Sequence, residues 1–378
     1  MRIEQSCWTA GDGWRAEAAK GNAAGDCALV LAFGSREALA TPGLLDDLRR
    51  RHPGARLVGC STAGEIRGTE VHDDSLVATA LAFDASSVRG ACVRLERPDG
   101  FEAGSRLAAE LPFEGLRHVF VLADGHAVNG TALLAGLASR LPASVSVTGG
   151  LAADGERFGE TVVLWDEPLV GGVVAVGLYG ERLRVGCGSL GGWDPFGPER
   201  LITRARGNVL YELDGQSALA LYKRYLGEKA KGLPATALLF PLSLRGADGD
   251  ASVVRTVLSI DEQEQSMTFA GDLPEGAYAR LMKANFDRLI DGAVGAARAS
   301  QERLVGSSPE LGILISCVGR KMVLRQRVEE EVEGVREVLG AETVLTGFYS
   351  YGEISPFTPT ARCELHNQTM TVTTFSER

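Results

Sequence analysis

Gly59-Cys60-Ser61-Thr62-Ala63-Gly64-Glu65-Ile66 and Gly347-Phe348-Tyr349-Ser350-Tyr351-Gly352-Glu353-Ile354 are the stretches that decide the fold. Both read Gly-x-x-x-x-Gly-Glu-Ile, and both end the same succession of an apolar strand closing on glycine, a helix, and a second strand running into the turn. In the first copy the strand spans 29–34, the helix lies near 43–51 and residues 56–58 enter the turn; in the third, the strand spans 313–319, the helix 321–339 and residues 343–346 enter it. A second copy lies between them, with a strand at 119–125, a helix at 131–141 and a strand at 144–148 entering Gly149-Gly150-Leu151-Ala152-Ala153-Asp154-Gly155. The glycine-to-glycine spacings are 25 (34 to 59), 24 (125 to 149) and 28 (319 to 347), so one unit occurs three times. An alternating strand follows each copy, at 76–83, 173–179 and 370–375, which predicts an α/β (α+β) fold of β-α-β-β units in mixed sheets covered by helices.

Between the second and third copies, apolar residues at 218, 221, 222, 225 and 226 make a helical stripe ended by Gly227. A domain boundary is expected at 227–233, dividing the chain into a lead-in at 1–25, a first α/β domain at 26–227 and a second at 228–378. Beyond the boundary, 237–244, 252–261 and 266–269 read as strands, and 278–297 reads as a helix.

A length of 378 residues suits two domains with more than one core. Hydrophobic residues at 45%, charged residues at 23% and a mean hydropathy of +0.01 describe a globular protein. No apolar run reaches the roughly 18 residues of a membrane-spanning helix, and the first eight residues contain no apolar stretch of a secretory signal, so a cytoplasmic location is expected. A net charge of −10 opposes nucleic acid and anionic lipid; the cluster Arg49-Arg50-Arg51-His52 reads as the cationic last turn of a short helix. Seven cysteines without a C-x-x-C pair and five histidines without metal-ligand spacing suggest neither a disulfide framework nor a metal site.

Gly186-Cys187-Gly188-Ser189-Leu190-Gly191 has the glycines of a dinucleotide fingerprint but runs into Gly192-Trp193-Asp194-Pro195 instead of a helix, which excludes a Rossmann site. No catalytic motif is present; Cys60 or Ser61 as a nucleophile needs a base brought from elsewhere in the fold. The chemistry-bearing residues instead gather in the turns, where open α/β sheets bind ligands. Ser61, Thr62, Glu65, Asp124, Asn129, Gly149, Gly150, Tyr349, Tyr351 and Glu353 are the candidate ligand-binding residues. A crevice between the 59–66, 124–130, 149–155 and 347–354 turns is expected to hold a small molecule, with backbone N–H groups facing any carboxylate, Glu65 or Glu353 meeting an amine and the tyrosines walling the pocket. Each has a plainer reading: a capping carboxylate, core tyrosines, and Asn129 as a helix cap.

The Gly59–Ile66 stretch, residues 202–215, and residues 347–356 followed by Leu365-His366-Asn367-Gln368-Thr369-Met370 resemble the FIST family over about residues 26–375. The resemblance implies FIST N-like and FIST C-like domains and a non-enzymatic sensory protein of bacterial signal transduction. It further implies that the protein binds a small metabolite such as an amino acid. An alternative it implies is a haem-based nitric oxide sensor, for which His366 is the first axial candidate and His126 or His118 the next. Fused relatives carry an output domain for which this chain has no room, so a separately encoded histidine kinase or diguanylate-metabolism protein is the expected partner.

Overall fold

The computed structural model describes residues 1–21, 27–95, 99–233, 235–246, 253–304, 306–356 and 363–377. Its three copies are equivalent units. In unit I, Leu29–Gly34 runs parallel to Arg56–Ser61 and antiparallel to Ser75–Ala82 on its other edge. Leu116–Ala123, Ser146–Leu151 and Gly172–Tyr179 repeat this arrangement in unit II, as do Leu311–Cys317, Val344–Ser350 and Met370–Glu377 in unit III. An outer strand lies antiparallel to each last strand: Arg2–Thr9, Ser87–Arg94 and Leu183–Leu190. Nearly every residue of the central strands is buried, which is why they read as continuous apolar runs.

Each unit sends its post-turn hairpin into a neighbour's sheet. Glu65–Arg67 of unit I pairs with Val344–Ser350 of unit III, Gly352–Pro356 of unit III pairs with Ser146–Leu151 of unit II, and Val163–Trp165 of unit II pairs with Arg56–Ser61 of unit I. The exchange closes a ring. The same hydrophobic cluster therefore draws Ile66, Val121 and Leu314 from all three units. Helices cover the outside: Leu44–Arg51 in unit I, Gly100–Glu110 and Gly130–Ala138 in unit II, Phe286–Glu302 and Val328–Leu339 in unit III. Gly186 and Gly188, the glycines of the rejected fingerprint, let Phe286–Glu302 approach closely, since a Cβ there would lie 2.0 and 2.2 Å from the carbonyls of Ser300 and Ala296.

Residues 194–283 are an insertion within unit III. Its eight-stranded sheet centres on Asp194–Arg206 and Tyr278–Lys283, and Ala218–Leu226 packs over it. The boundary expected at 227–233 falls inside this unit, whose single core joins Leu219 and Tyr222 to Phe240 and Leu281. The third copy, expected to close a second domain, shares sheets and core with the first two.

The lead-in at 1–25 is corrected: Arg2–Thr9 and Gly13–Lys20 form a hairpin on the first sheet, with residues 22–25 outside the described region. One face carries Gln5 between Ile3 and Cys7, and Ser6 is buried on the other, so apolar alternation is weak; Gln5 Nε2 donates to the carbonyl of Leu345 at 3.0 Å. The helix expected at 278–297 is likewise corrected. Tyr278–Lys283 is a strand held on both edges, by Leu242–Arg245 and Asp194–Arg206, and the helix starts after its cap, Asn285. Apolar 278, 281 and 282 fit a helical stripe, but Ala279 and Leu281 are the buried pair, on strand period. The strand expected at 237–244 shortens to Leu242–Arg245, and that at 252–261 divides into Val253–Arg255 and Val257–Asp261, with residue 252 outside the described region. The 321–339 helix is divided at Arg325, whose φ is 54°, into Val318–Leu324 and Val328–Leu339.

Candidate functional site

The signature turns meet one another at the ring's three crossings, tied by one repeated backbone bond. Ala63 N–H donates to Tyr349 O (2.9 Å), Tyr351 N–H to Leu151 O (3.3 Å) and Ala153 N–H to Ser61 O (2.8 Å). The turn glycines make the approach possible. A Cβ at Gly59, Gly149 or Gly347 would stand 1.7, 1.8 or 1.8 Å from the carbonyl oxygen of Ala32, Val121 or Leu314 on the parallel strand beside it. Gly150 is filled against Ile315 in the same way, so Gly149 and Gly150 serve sheet packing rather than a ligand.

Glu65 and Glu353 close their turns from inside. Glu65 accepts from the Thr62 hydroxyl and from Ser75 N–H (3.2 Å) and Oγ (2.6 Å); Glu353 accepts from Ser350 Oγ (2.7 Å), Thr369 N–H (3.1 Å) and Thr369 Oγ1 (2.9 Å). Both are fully buried, and burial pushes their carboxyls up to about 7 and about 8. The expectation that either meets a ligand amine is corrected, because each spends its oxygens pinning its turn to the start of the unit's last strand. In unit II Asp124 does this from a different strand, accepting from His126 N–H (2.9 Å), Ala127 N–H (3.0 Å), Thr161 Oγ1 (2.7 Å) and Gly171 N–H (2.8 Å).

Ser61 and Tyr349 are buried as well. Ser61 Oγ accepts from Val162 N–H (3.0 Å), and the Tyr349 hydroxyl donates to Glu331 (2.8 Å), the partner of fully buried Arg320 (2.6 Å). Tyr349 therefore anchors an internal ion pair instead of walling a pocket. No sequence signal marked Arg320, which precedes the helix expected at 321–339, or Glu331 within it; they stand in Val318–Leu324 and Val328–Leu339.

The three crossings differ in what covers them. Over Gly64 lies Lys321, donating to the carbonyl of Ala63 (2.9 Å) and paired with Asp73. At the crossing of Ala153, Arg157 bridges Asp154 (2.6 Å) and Glu37 (3.0 Å). At the third crossing Tyr351 occupies the position of Ala63 and Ala153, stacked on Phe158 (centroids 4.8 Å, 11° between planes) with the His126 ring edge-on at 5.3 Å. Here a cavity of about 480 Å³ opens between the threefold body and the insertion. The body supplies His126, Asn129 and Tyr351 to its wall; the insertion supplies Asn208, Thr256 and Leu258. Of the ten expected ligand residues, the structure brings Asn129 and Tyr351 to this cavity, and Asn129 also caps Gly130–Ala138 through Ala132 N–H (3.0 Å). Sequence reasoning missed the insertion's side as part of the site, although Asn208 lies in the 202–215 motif, and it missed Phe158, an isolated aromatic in a polar loop.

The FIST N domain pattern matches residues 28–216 and the FIST C domain pattern residues 218–356. The chain belongs to the FIST family. FIST domains are associated with sensory signal transduction. An uncharacterised protein of Methanocaldococcus jannaschii is 23% identical over 322 residues, covering 77% of this chain; the chain spans 60% of that relative's length. Among solved structures, a cyanuric acid hydrolase from A. caulinodans is similar at 11% identity over 78% of this chain and 99% of that one, with a TM-score of 0.19.

Two of the three candidate histidines of this FIST chain do not fit the expected axial haem ligand. His366 is buried, its Nε2 within 2.9 Å of the Ser355 carbonyl, and burial pushes it down to about 4. Both ring nitrogens of buried His118 lie on hydroxyls, of Ser146 (2.8 Å) and Thr148 (3.0 Å). His126 alone among these three lines the cavity. Neither expected nucleophile is accessible: Cys60 and Ser61 are both fully buried, and burial pushes the Cys60 thiol far up. Among the described residues, no helix is long and apolar enough to cross a membrane.

Proposed function

We propose that the protein is a small-ligand sensor whose ligand sits in the cavity between body and insertion. One observation carries this reading: of three equivalent crossings, two are covered by ion pairs and the third opens into a cavity of about 480 Å³, within the size range of small-molecule sites. The insertion joins the body through two adjacent passes of chain, with Asp194 paired in register with Lys283, so an occupant touches two parts that share a narrow connection. Occupancy then biases the insertion's position relative to the ring, a change that a partner can read. The partner class suggested by the family is a separately encoded histidine kinase or diguanylate-metabolism protein, and an amino acid or similar metabolite is the family's suggested ligand.

Thermal unfolding across a metabolite library, for the wild type and for Leu258→Trp, tests the reading. Leu258 is 45% exposed at the cavity, so the larger ring obstructs the site without disturbing the core. A ligand at 100 times its dissociation constant stabilises the wild type by roughly 2.7 kcal/mol. The expected result is stabilisation of the wild type that Leu258→Trp loses; equal stabilisation of both proteins would place the ligand elsewhere.

A further inference from the structure

We infer that the cavity takes an uncharged, flat aromatic or heteroaromatic molecule that carries an N–H or O–H donor on its edge. The inference rests on the reading of the cavity as the ligand site, and it departs from the amino acid that the family suggests.

Among the described residues, no Asp, Glu, Lys or Arg lines the cavity. Two charged residues beside the lining, Asp272 and Arg255, are already engaged. Asp272 accepts from Asn129 Nδ2 (3.2 Å), and Arg255, 6% exposed, donates to the carbonyls of Val254 (3.4 Å), Asp272 (3.3 Å) and Leu365 (2.9 Å) and faces a separate groove. A carboxylate or ammonium brought into this cavity would give up its water without gaining a counter-charge, which is costly. Neutral surface carries no such penalty.

The aromatic wall defines the shape. Phe158 is 39% exposed and Leu258 45%, large apolar side chains left uncovered at the same cavity, and Phe158 holds a φ of 50°, a region few non-glycine residues occupy. Phe158 is stacked on buried Tyr351, so the exposed part of the Phe158 ring, with Leu258 beside the same cavity, offers an apolar surface to a flat ring.

A polar group stands immediately behind the lining: the fully buried amide of Gln368. Its Nε2 donates to Thr256 Oγ1 (3.0 Å), while its Oε1 is buried with no hydrogen-bond partner. The amide lies directly behind Gly319, where a Cβ would come within 2.3 Å of it, and both Gly319 and Thr256 line the cavity. Gln368 is held at φ 63° by the Trp193 indole N–H on its carbonyl (2.9 Å), so the amide has a fixed position. A buried acceptor without a donor is costly, and a ligand N–H or O–H relieves it.

Matched pairs that share a ring and differ in charge test the assignment: indole against L-tryptophan and p-cresol against L-tyrosine, by isothermal titration with the full chain. Indole and p-cresol are expected to bind at least tenfold more tightly than their zwitterionic counterparts. Tyr351→Ala should abolish that binding, and Leu258→Lys, at an exposed position that cannot unfold the core, should weaken it at least tenfold. If the amino acids bind as well as the bare rings and Leu258→Lys still weakens them, the ligand class is overturned while the site stands. Ring binding that ignores both variants overturns class and site together, and no heat from any of the four compounds at millimolar concentration overturns the class.

Discussion

The crossing at Ala63 and the crossing at Tyr351 have the same backbone and opposite chemistry. At the first, a small residue lies under Lys321 and its partner Asp73, so an ion pair covers the turn. At the other, a tyrosine fills the equivalent position, meets a phenylalanine and a histidine, and borders the cavity that the insertion roofs. The threefold ring therefore supplies a scaffold, and one side-chain exchange in one unit supplies a site. The shared motif marks where the chain must turn; the residue that breaks the symmetry marks where it can bind.

The deepest break in this comparison lies under the Tyr351 turn. Glu331→Ala leaves Arg320 buried without its counter-charge and Tyr349 without its acceptor, and urea unfolding should show a loss of about 3–5 kcal/mol. A loss below about 1 kcal/mol would mean that water reaches the pair.

The two turn glutamates come next. Their carboxyls keep the proton to about pH 7 and 8 in the fold, against 4.5 for the ordinary residue. The native state thus holds more protons than the unfolded chain. Its advantage is complete below about pH 4.5 and is lost as pH rises through 7 and 8, a change on the order of 3 kcal/mol per group. Glu65→Gln with Glu353→Gln keeps the hydroxyl contacts and should flatten that slope; a wild-type curve already flat between pH 5 and 8 would refute the buried-proton account.

Tyr351→Ala converts the third crossing to the pattern of the other two. Ligand response should vanish while unfolding stays cooperative, with a stability loss of about 2–3 kcal/mol for the lost ring; a retained response would detach the site from the broken symmetry. Lys321→Met should matter least, below about 1 kcal/mol, because Asp73 is exposed and the pair is screened by solvent. A larger loss would show that the lysine supports the crossing itself.

The repeated strand–helix–strand units were legible in the sequence because each central strand is buried on both faces and each turn needs its glycine. The order of the sheets was not, since Glu65–Arg67 gives no local sign that its partner is Val344–Ser350, nearly three hundred residues later. The site was half legible. Tyr351 and Asn129 stood in conspicuous motifs and Gln368 in the 365–370 stretch, whereas Thr256 and Leu258 join the site only once the insertion is laid over the ring. Glu65 and Glu353 were misread for a physical reason: the same Gly-Glu-Ile pattern serves a carboxylate turned outward to a ligand or inward to its own turn, and only burial distinguishes them.

The exchange of hairpins also sets the order in which the protein can be assembled. On a ribosome, unit I emerges with Glu65–Arg67 unpaired, and that segment waits until Val344–Ser350 has been made. Unit II can complete the first sheet, yet its own Ser146–Leu151 edge stays open until Gly352–Pro356 arrives. Exposed strand edges of this kind recruit other chains, and pairings so distant in sequence form slowly. Nascent chains truncated before residue 344 should therefore depend on chaperones and aggregate when released, whereas the finished ring leaves none of these three edges to capture.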